Sequence, residues 1–279
     1  MIKDDFVSLF YYNYFEGIMK AGISTASFFN RIYNEEAFLH LNLLGCDLVE
    51  VFFTTYSEYE EDFAKKMAQS QGNIVVHSVH ALGTQFEPEL YNVTSRVRSD
   101  AEKLFKKVCR AAQILNAKFL TFHGPYRMKK KPYNIDYKKL GRRTNEIIDI
   151  AKAYGLKLSY ENVHYAFFNE PSFFQNLKEY CPELFGTLDI KQSVQGGVNP
   201  YDILDAIGDR LSTVHICDIQ SNNETAAIGK GTFDFEKLIN TLKHKEVKAP
   251  IILELYSKDY DTLDDLKANF EYIKGLINK

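Results

Sequence analysis

Eight short apolar runs rich in β-branched residues recur along this chain, beginning near Lys20, Asp47, Ile74, Lys118, Leu156, Leu184, Leu211 and Pro250. Runs that are almost continuously apolar, with no strict alternation, mark strands covered on both faces of a parallel sheet. Between them lie helical patterns. Val97, Ala101, Leu104, Val108, Ala111 and Leu115 fall at spacings of three and four, as do Leu263, Leu266, Phe270, Ile273 and Leu276. Tyr59, Phe63 and Met67 do so more briefly. Such spacing lays one apolar stripe against a sheet. The run starts are 27 to 44 residues apart, close to the ~30 or more of one βαβ unit. Eight strands alternating with helices point to a single closed (β/α)8 barrel, although the pattern alone also admits an open doubly wound sheet. No low-complexity linker or composition shift divides the 279 residues, so one domain over residues 19–279 is expected in place of the two that length alone suggests.

Residues 1–18 stand apart. They hold Phe6, Phe10, Tyr11, Tyr12, Tyr14 and Phe15 together with Asp4 and Asp5, without the basic start and aliphatic stretch of a secretory signal. The text from Met19 opens directly into a strand, so residues 1–18 are expected to be an N-terminal extension, either a misassigned start or a packing appendage. Composition narrows the function classes. No run approaches the ~20 apolar residues of a membrane span, and a net charge of −3 lacks the basic excess of a phosphate-backbone binder. Cys46, Cys109, Cys181 and Cys217 form no C-x-x-C pair, which argues against a disulfide framework or thiolate zinc site and for a cytoplasmic location. A homo-oligomer is compatible with this chain.

The chemistry is expected where the strands end, because in such barrels those ends and the following loops form the active face. The polar residues that interrupt the runs sit there: His80, His123, Glu161, Asp189, His215 and Glu254, with Glu50 interrupting the second run in its middle. One such residue is usually structural. Six on one face are another matter, because three carboxylates brought together without a cation repel one another and resist desolvation. Glu161, Asp189, His215 and Glu254 come from the fifth to eighth runs, neighbours around a barrel. This oxygen-rich set suits one divalent metal ion such as Mn²⁺, Mg²⁺, Co²⁺ or Zn²⁺.

The motifs Ser78-Val79-His80-Ala81, Tyr160-Glu161-Asn162, Leu188-Asp189, Val214-His215-Ile216-Cys217-Asp218, Gly229-Lys230-Gly231-Thr232-Phe233-Asp234-Phe235 and Leu253-Glu254-Leu255 occur in this order. In that order and spacing the chain, over roughly residues 19–279, resembles the xylose isomerase-like TIM barrels. That superfamily includes ketose 3-epimerases, related sugar isomerases and endonuclease IV-type abasic-site nucleases. The resemblance implies that Glu161, Asp189, His215 and Glu254 hold one divalent metal, and that Glu161 and Glu254 also move the proton. One glutamate would remove the proton beside a carbonyl to give an enediolate and the other would return it. A sugar or sugar phosphate is the expected small-molecule partner, with His80, His123, Asn162, Lys191 and Gln192 as substrate-binding candidates.

The departures from the family carry information. Gln192 stands where many members have a histidine three residues after the strand-six aspartate, and an amide hydrogen-bonds a sugar oxygen but does not ligate a metal as imidazole does. No arginine follows the strand-seven Asp218 among Ile219 to Ala227. Asn223 and Thr225 replace the Asp and His that complete the nucleases' multinuclear zinc site. Three absent ligands rank an abasic-site phosphodiesterase below a metal-dependent sugar isomerase or epimerase. A non-catalytic sugar-binding barrel is the remaining alternative. Lys191 offers a cationic donor to a substrate hydroxyl, carboxylate or phosphate. The basic loop Lys129-Lys130-Lys131 after the fourth run offers another, and Tyr126 and Tyr133 beside it are expected to cover the barrel mouth.

Overall fold

The computed structural model describes residues 18–82, 86–127 and 134–279. The N-terminal segment 1–17, the lysine run of residues 129–131 and Tyr133 lie outside the described residues. The eight runs form eight parallel strands: β1 (Ala21–Ser24), β2 (Leu48–Phe53), β3 (Val75–Ala81), β4 (Phe119–Phe122), β5 (Lys157–Glu161), β6 (Phe185–Asp189), β7 (Leu211–Ile216) and β8 (Ile251–Leu253). Each pairs with its sequence neighbours, and β1 pairs with β8 through Ala21↔Ile251, Gly22↔Ile252 and Ile23↔Leu253, which closes the barrel. The closure settles the choice between barrel and open sheet that the apolar pattern leaves open.

Helices α1 (Asn34–Leu43), α2 (Glu61–Ser70), α3 (Glu87–Leu90), α4 (Ser95–Ile114), α5 (Tyr137–Lys152), α6 (Pro171–Lys178), α7 (Ile190–Gln195), α8 (Pro200–Ile207), α9 (Phe235–His244) and α10 (Leu263–Asn278) fill the crossovers. Their amphipathic spacing buries Phe105, Val108 and Ala112 of α4 and Leu266, Phe270 and Ile273 of α10 against the sheet. A two-stranded antiparallel hairpin, Asp218–Ile219 with Thr225–Ala226, follows β7. The Gly229-Lys230-Gly231 turn after it is held by Asp218, whose carboxylate accepts from Gly229 N (2.8 Å) and Gly231 N (2.9 Å). No helix among the described residues is long and apolar enough to cross a membrane. All four cysteines are buried free thiols.

The barrel interior is more polar than the branched aliphatic layers usual for this architecture. Ser159 Oγ lies 2.8 Å from Thr187 Oγ1 and 2.6 Å from Ser212 Oγ, all buried inside the barrel wall. Hydroxyls satisfy one another there, which makes their burial tolerable. The register also shifts between Val49 and Glu50 where β2 meets β3. Beyond the shift, Glu50 reaches Ser78, Thr121 and His215 from the interior.

Candidate active site

The strands deliver their polar ends to one rim. Glu161 and Asp189 terminate β5 and β6, His80 and His215 are the penultimate residues of β3 and β7, and His123 and Glu254 directly follow β4 and β8. The backbone N–H of Glu254 donates to Ile216 O at 2.9 Å, which extends the β7–β8 contact to the rim. Ligand atoms of Glu161, Asp189, His215 and Glu254 all lie within 4.8 Å of one another, and those of His80, His123 and Glu161 form a second such group. The six strand-end residues singled out in the sequence thus converge, with Glu161 shared between the two groups.

His215 sits at the centre of the first group. Its Nδ1 lies 2.9 Å from Glu161 Oε1 and 3.7 Å from Glu254 Oε2. Burial opposes ionisation of Glu161, but the adjacent His215, His123 and His80 rings outweigh it and hold this carboxyl well below the usual carboxylate range. Asp189 behaves oppositely: burial pushes it up to about 7 despite Lys191. Asp189 also caps α7, its Oδ1 accepting from Gln192 N at 2.7 Å. The cap leaves Oδ2 on the side of the group, 3.4 Å from Lys191 Nζ.

The second group is equally buried. His80 Nε2 and His123 Nε2 are 3.0 Å apart, and they lie 3.7 and 3.2 Å from Glu161 Oε2. Burial works against charge on His80, yet Glu50 and Glu161 raise it to about 9. His123 Nδ1 is met by the Tyr126 hydroxyl at 3.2 Å and the Tyr165 hydroxyl at 3.4 Å. Its backbone N–H donates to Glu87 Oε2 at 2.9 Å. Burial pushes Glu87 up to about 7.

The substrate-binding candidates divide. His80, His123, Lys191 and Gln192 line a cavity of about 260 Å³ over the two groups, with Glu161 and Glu254 in its floor. That size is close to the lower end of small-molecule sites, ~300 Å³. Phe29, Phe52 and Leu255 give it an apolar side. Lys191, 4% exposed, turns inward. Its Nζ lies 3.5 Å from Glu254 Oε2 and 3.2 Å from the Tyr256 hydroxyl. Gln192 Oε1 lies 2.6 Å from His164 Nδ1. Asn162 stands behind the site, at the β6–α7 junction. Its Nδ2 donates to Asp189 O and Ser193 Oγ, and its Oδ1 accepts from Asp189 N at 2.8 Å. That amide holds the β6–α7 junction, and Asn162 does not line the cavity.

The donors fit a divalent cation. Three carboxylates converge on one imidazole nitrogen, and Glu161 Oε2 is buried without a hydrogen-bond partner among the described residues. Oxygen and imidazole donors in this ratio suit Mg²⁺, Mn²⁺, Co²⁺ or Zn²⁺. Two glutamates escape a sequence reading. Glu50 looks like an isolated interruption of a strand, and Glu87 precedes an apolar-poor segment with no motif around it. The hydroxyl residues facing Glu50 are the one signal that could have exposed it.

The chain covers 94% of its own length and 100% of D-psicose 3-epimerase in a structure with D-fructose, at TM-score 0.75 and 15% identity. It covers 92% of itself and 99% of a 3-keto-D-glucoside 4-epimerase from E. coli, at TM-score 0.74 and 16% identity. A probable 3-DHS dehydratase from Bacillus anthracis matches over 91% and 98%, at TM-score 0.74 and 12% identity. At these identities the likeness shows the fold. No curated protein matches the chain in sequence. The family model for the xylose isomerase-like TIM barrel matches residues 39–276. Its span takes in β2 through most of α10, so the chain belongs to the xylose isomerase-like TIM barrel family.

Proposed function

We propose that this protein is a divalent-metal-dependent sugar isomerase or epimerase in which Glu161 and Glu254 form the acid/base pair. The observation that carries the reading is the placement of these two carboxylates around His215 Nδ1, at 2.9 and 3.7 Å, in the floor of one cavity. Glu161, Asp189, His215 and Glu254 would hold the ion. When bound, the ion supplies positive charge that stabilises the negative charge developing beside a carbonyl. Glu161, kept ionised by the histidines around it, accepts the proton from the carbon next to the carbonyl. Glu254, carrying a proton at the outset, delivers it to the resulting enediolate, and the roles exchange in the reverse reaction. Lys191, Gln192, His80 and His123 offer hydrogen bonds to the sugar's hydroxyls, and the apolar wall excludes water from the carbanionic carbon. The neighbouring folds that act on D-fructose-type ketoses, ketoglucosides and a dehydratable substrate are consistent with proton transfer beside a carbonyl.

Incubation of the Mn²⁺-loaded protein with D-fructose, D-tagatose, D-psicose and a 3-ketoglucoside, read by NMR, tests this. Appearance of an epimer or isomer, lost in Glu161→Gln and on chelation, is the expected result. Unchanged sugars throughout, or turnover that survives chelation, contradict the reading.

The second buried group, His80, His123 and Glu161, favours one rival: a phosphodiesterase of the endonuclease IV type, which needs several ions. Elemental analysis separates the two. One ion per chain supports the isomerase, and three with cleavage of an abasic duplex support the nuclease.

A further inference from the structure

We propose that Glu50 is a positioning residue for the cation site, fixing the His215 ring so that Nδ1 faces Glu161 and Glu254; the inference rests on the reading of those residues as ion ligands. Glu50 is 0% exposed, belongs to neither group of ligand candidates and does not border the cavity. It lies deeper in the barrel, beneath the four ligand candidates. A carboxylate at that depth is costly unless donors surround it. Here they do: Ser78 Oγ and Thr121 Oγ1 each donate to Oε2 at 2.7 Å, and Ser24 Oγ donates to Oε1 at 3.4 Å. The shift in register between Val49 and Glu50 puts Glu50 opposite Ser78 on β3, and Ser24 on β1 is its partner on the other side. Three neighbouring strands thus contribute to holding one side chain in place.

What that side chain holds is His215. Nε2 of the ring lies 3.1 Å from Glu50 Oε2 while Nδ1 lies 2.9 Å from Glu161 Oε1. An ionised carboxylate only accepts hydrogen bonds, so the nitrogen facing Glu50 carries the hydrogen. Nδ1 faces the Glu161 carboxylate in the same way and carries a hydrogen too; a cation held there would displace that hydrogen and leave the one on Nε2 with Glu50. A carboxylate behind a ligating imidazole fixes its tautomer and orientation and raises its basicity. The other oxygen, Oε1, lies 3.8 Å from His80 Nδ1, so the same group also faces a histidine of the second cluster. An aliphatic residue would fill this space as barrel interiors usually are filled. It would leave the His215 ring free to turn.

The test is Mn²⁺ affinity by competition with a chromophoric chelator, compared between wild type, Glu50→Gln and Glu58→Gln. Glu58 is the control: it is a buried glutamate after β2 that accepts from Asn34 Nδ2 and Thr54 Oγ1, away from the ligands. The expected result is a ~10- to 100-fold weaker Kd for Glu50→Gln and no change for Glu58→Gln. A second readout uses the unaltered chain, so a folding defect in the variant does not decide the matter. ¹⁵N-histidine NMR of the Zn²⁺-loaded wild type is expected to show a hydrogen on Nε2 of His215 and none on Nδ1. Normal wild-type binding with an unchanged Kd in Glu50→Gln, or a hydrogen on Nδ1 in the loaded protein, overturns the role of Glu50 alone. Wild-type protein that binds neither ion overturns the site reading beneath it.

Discussion

Lys191 Nζ lies 3.4 Å from Asp189 Oδ2, two residues along the chain from it, and 3.5 Å from Glu254 Oε2. Both residues belong to the first turn of α7 and its cap, so the helix start delivers an acceptor and an ammonium to the same side. Burial disfavours the charge on Lys191, yet Asp189 and Glu254 outweigh it and hold this group well above the ordinary lysine range. The Tyr256 ring, 4.8 Å away, adds a cation–π contact. A fixed positive charge beside the ligand candidates repels an incoming cation and attracts a substrate oxygen. Lys191→Met is therefore expected to tighten Mn²⁺ binding by about tenfold or more while weakening sugar binding. Calorimetry with each ligand checks both, and parallel weakening of metal and sugar would contradict the account.

Asn162 holds Asp189 from behind through its side-chain amide, accepting from Asp189 N and donating to Asp189 O. Asn162→Ala leaves a buried backbone N–H and C=O without these partners, at a cost of about 1–3 kcal/mol. The expected outcome is a lower unfolding midpoint together with weaker metal binding, because Asp189 is no longer fixed. Sugar contacts made by Asn162 itself would instead show as a raised KM at unchanged metal affinity.

His77 lies at the opposite end of the barrel from the site. Its Nε2 is 3.0 Å from Ser212 O and 3.1 Å from Thr213 Oγ1. Burial pushes its pKa from 6.5 down to about 4. Between those values the unfolded chain binds the proton and the folded chain does not. The contribution is complete above pH ~6.5 and is lost as the pH falls towards 4, amounting to ~3 kcal/mol. Denaturant unfolding of His77→Asn against wild type at pH 7, 5.5 and 4.5 is expected to show a shallower acid slope in the variant. Identical slopes would remove His77 from the acid response.

Gly124 follows His123 with φ +75°, and a Cβ there would lie 2.8 Å from Tyr160 Cε2. Tyr160 is itself stacked on Phe122, ring centroids 5.6 Å apart, and has no room to retreat. Both the left-handed backbone and the contact forbid a side chain. Gly124→Ala is expected to destabilise the protein by roughly 1–3 kcal/mol and to displace His123. Thermal unfolding and His123 chemical shifts measure the two effects, and unchanged values for both would contradict this packing.

The barrel was legible because its strands are covered on both faces, and such strands read as apolar runs wherever they pair. The rim was legible for a related reason. A side chain that breaks an apolar run at its end must leave the core, and in a parallel barrel all strand ends leave at the same place. Ser78, Thr121, Ser159, Thr187 and Thr213 each precede a rim residue by two positions, the period that keeps side chains on one face of a strand. That repeat carried the polar interior in the sequence, where Ser and Thr pass easily as strand formers. Glu50 did not resolve, because its environment comes from β1, β3, β4 and β7, and no local pattern encodes four separate partners. The partners of Asn162 are hidden for the same reason: it follows Glu161 in sequence, while its amide bonds to a junction 27 residues away.

Proton transfer beside a carbonyl by Glu161 and Glu254 is the central claim, and solvent exchange reads it without needing the preferred sugar. The Mn²⁺-loaded protein is incubated in D₂O with each ketose of the panel, and ¹H NMR follows the hydrogens next to the carbonyl. Deuterium should enter at that carbon in wild type, fall by ~10²- to 10⁴-fold in Glu161→Gln and in Glu254→Gln, and stop on chelation. Exchange that continues at the wild-type rate in the doubly substituted protein would contradict the assignment of these two glutamates.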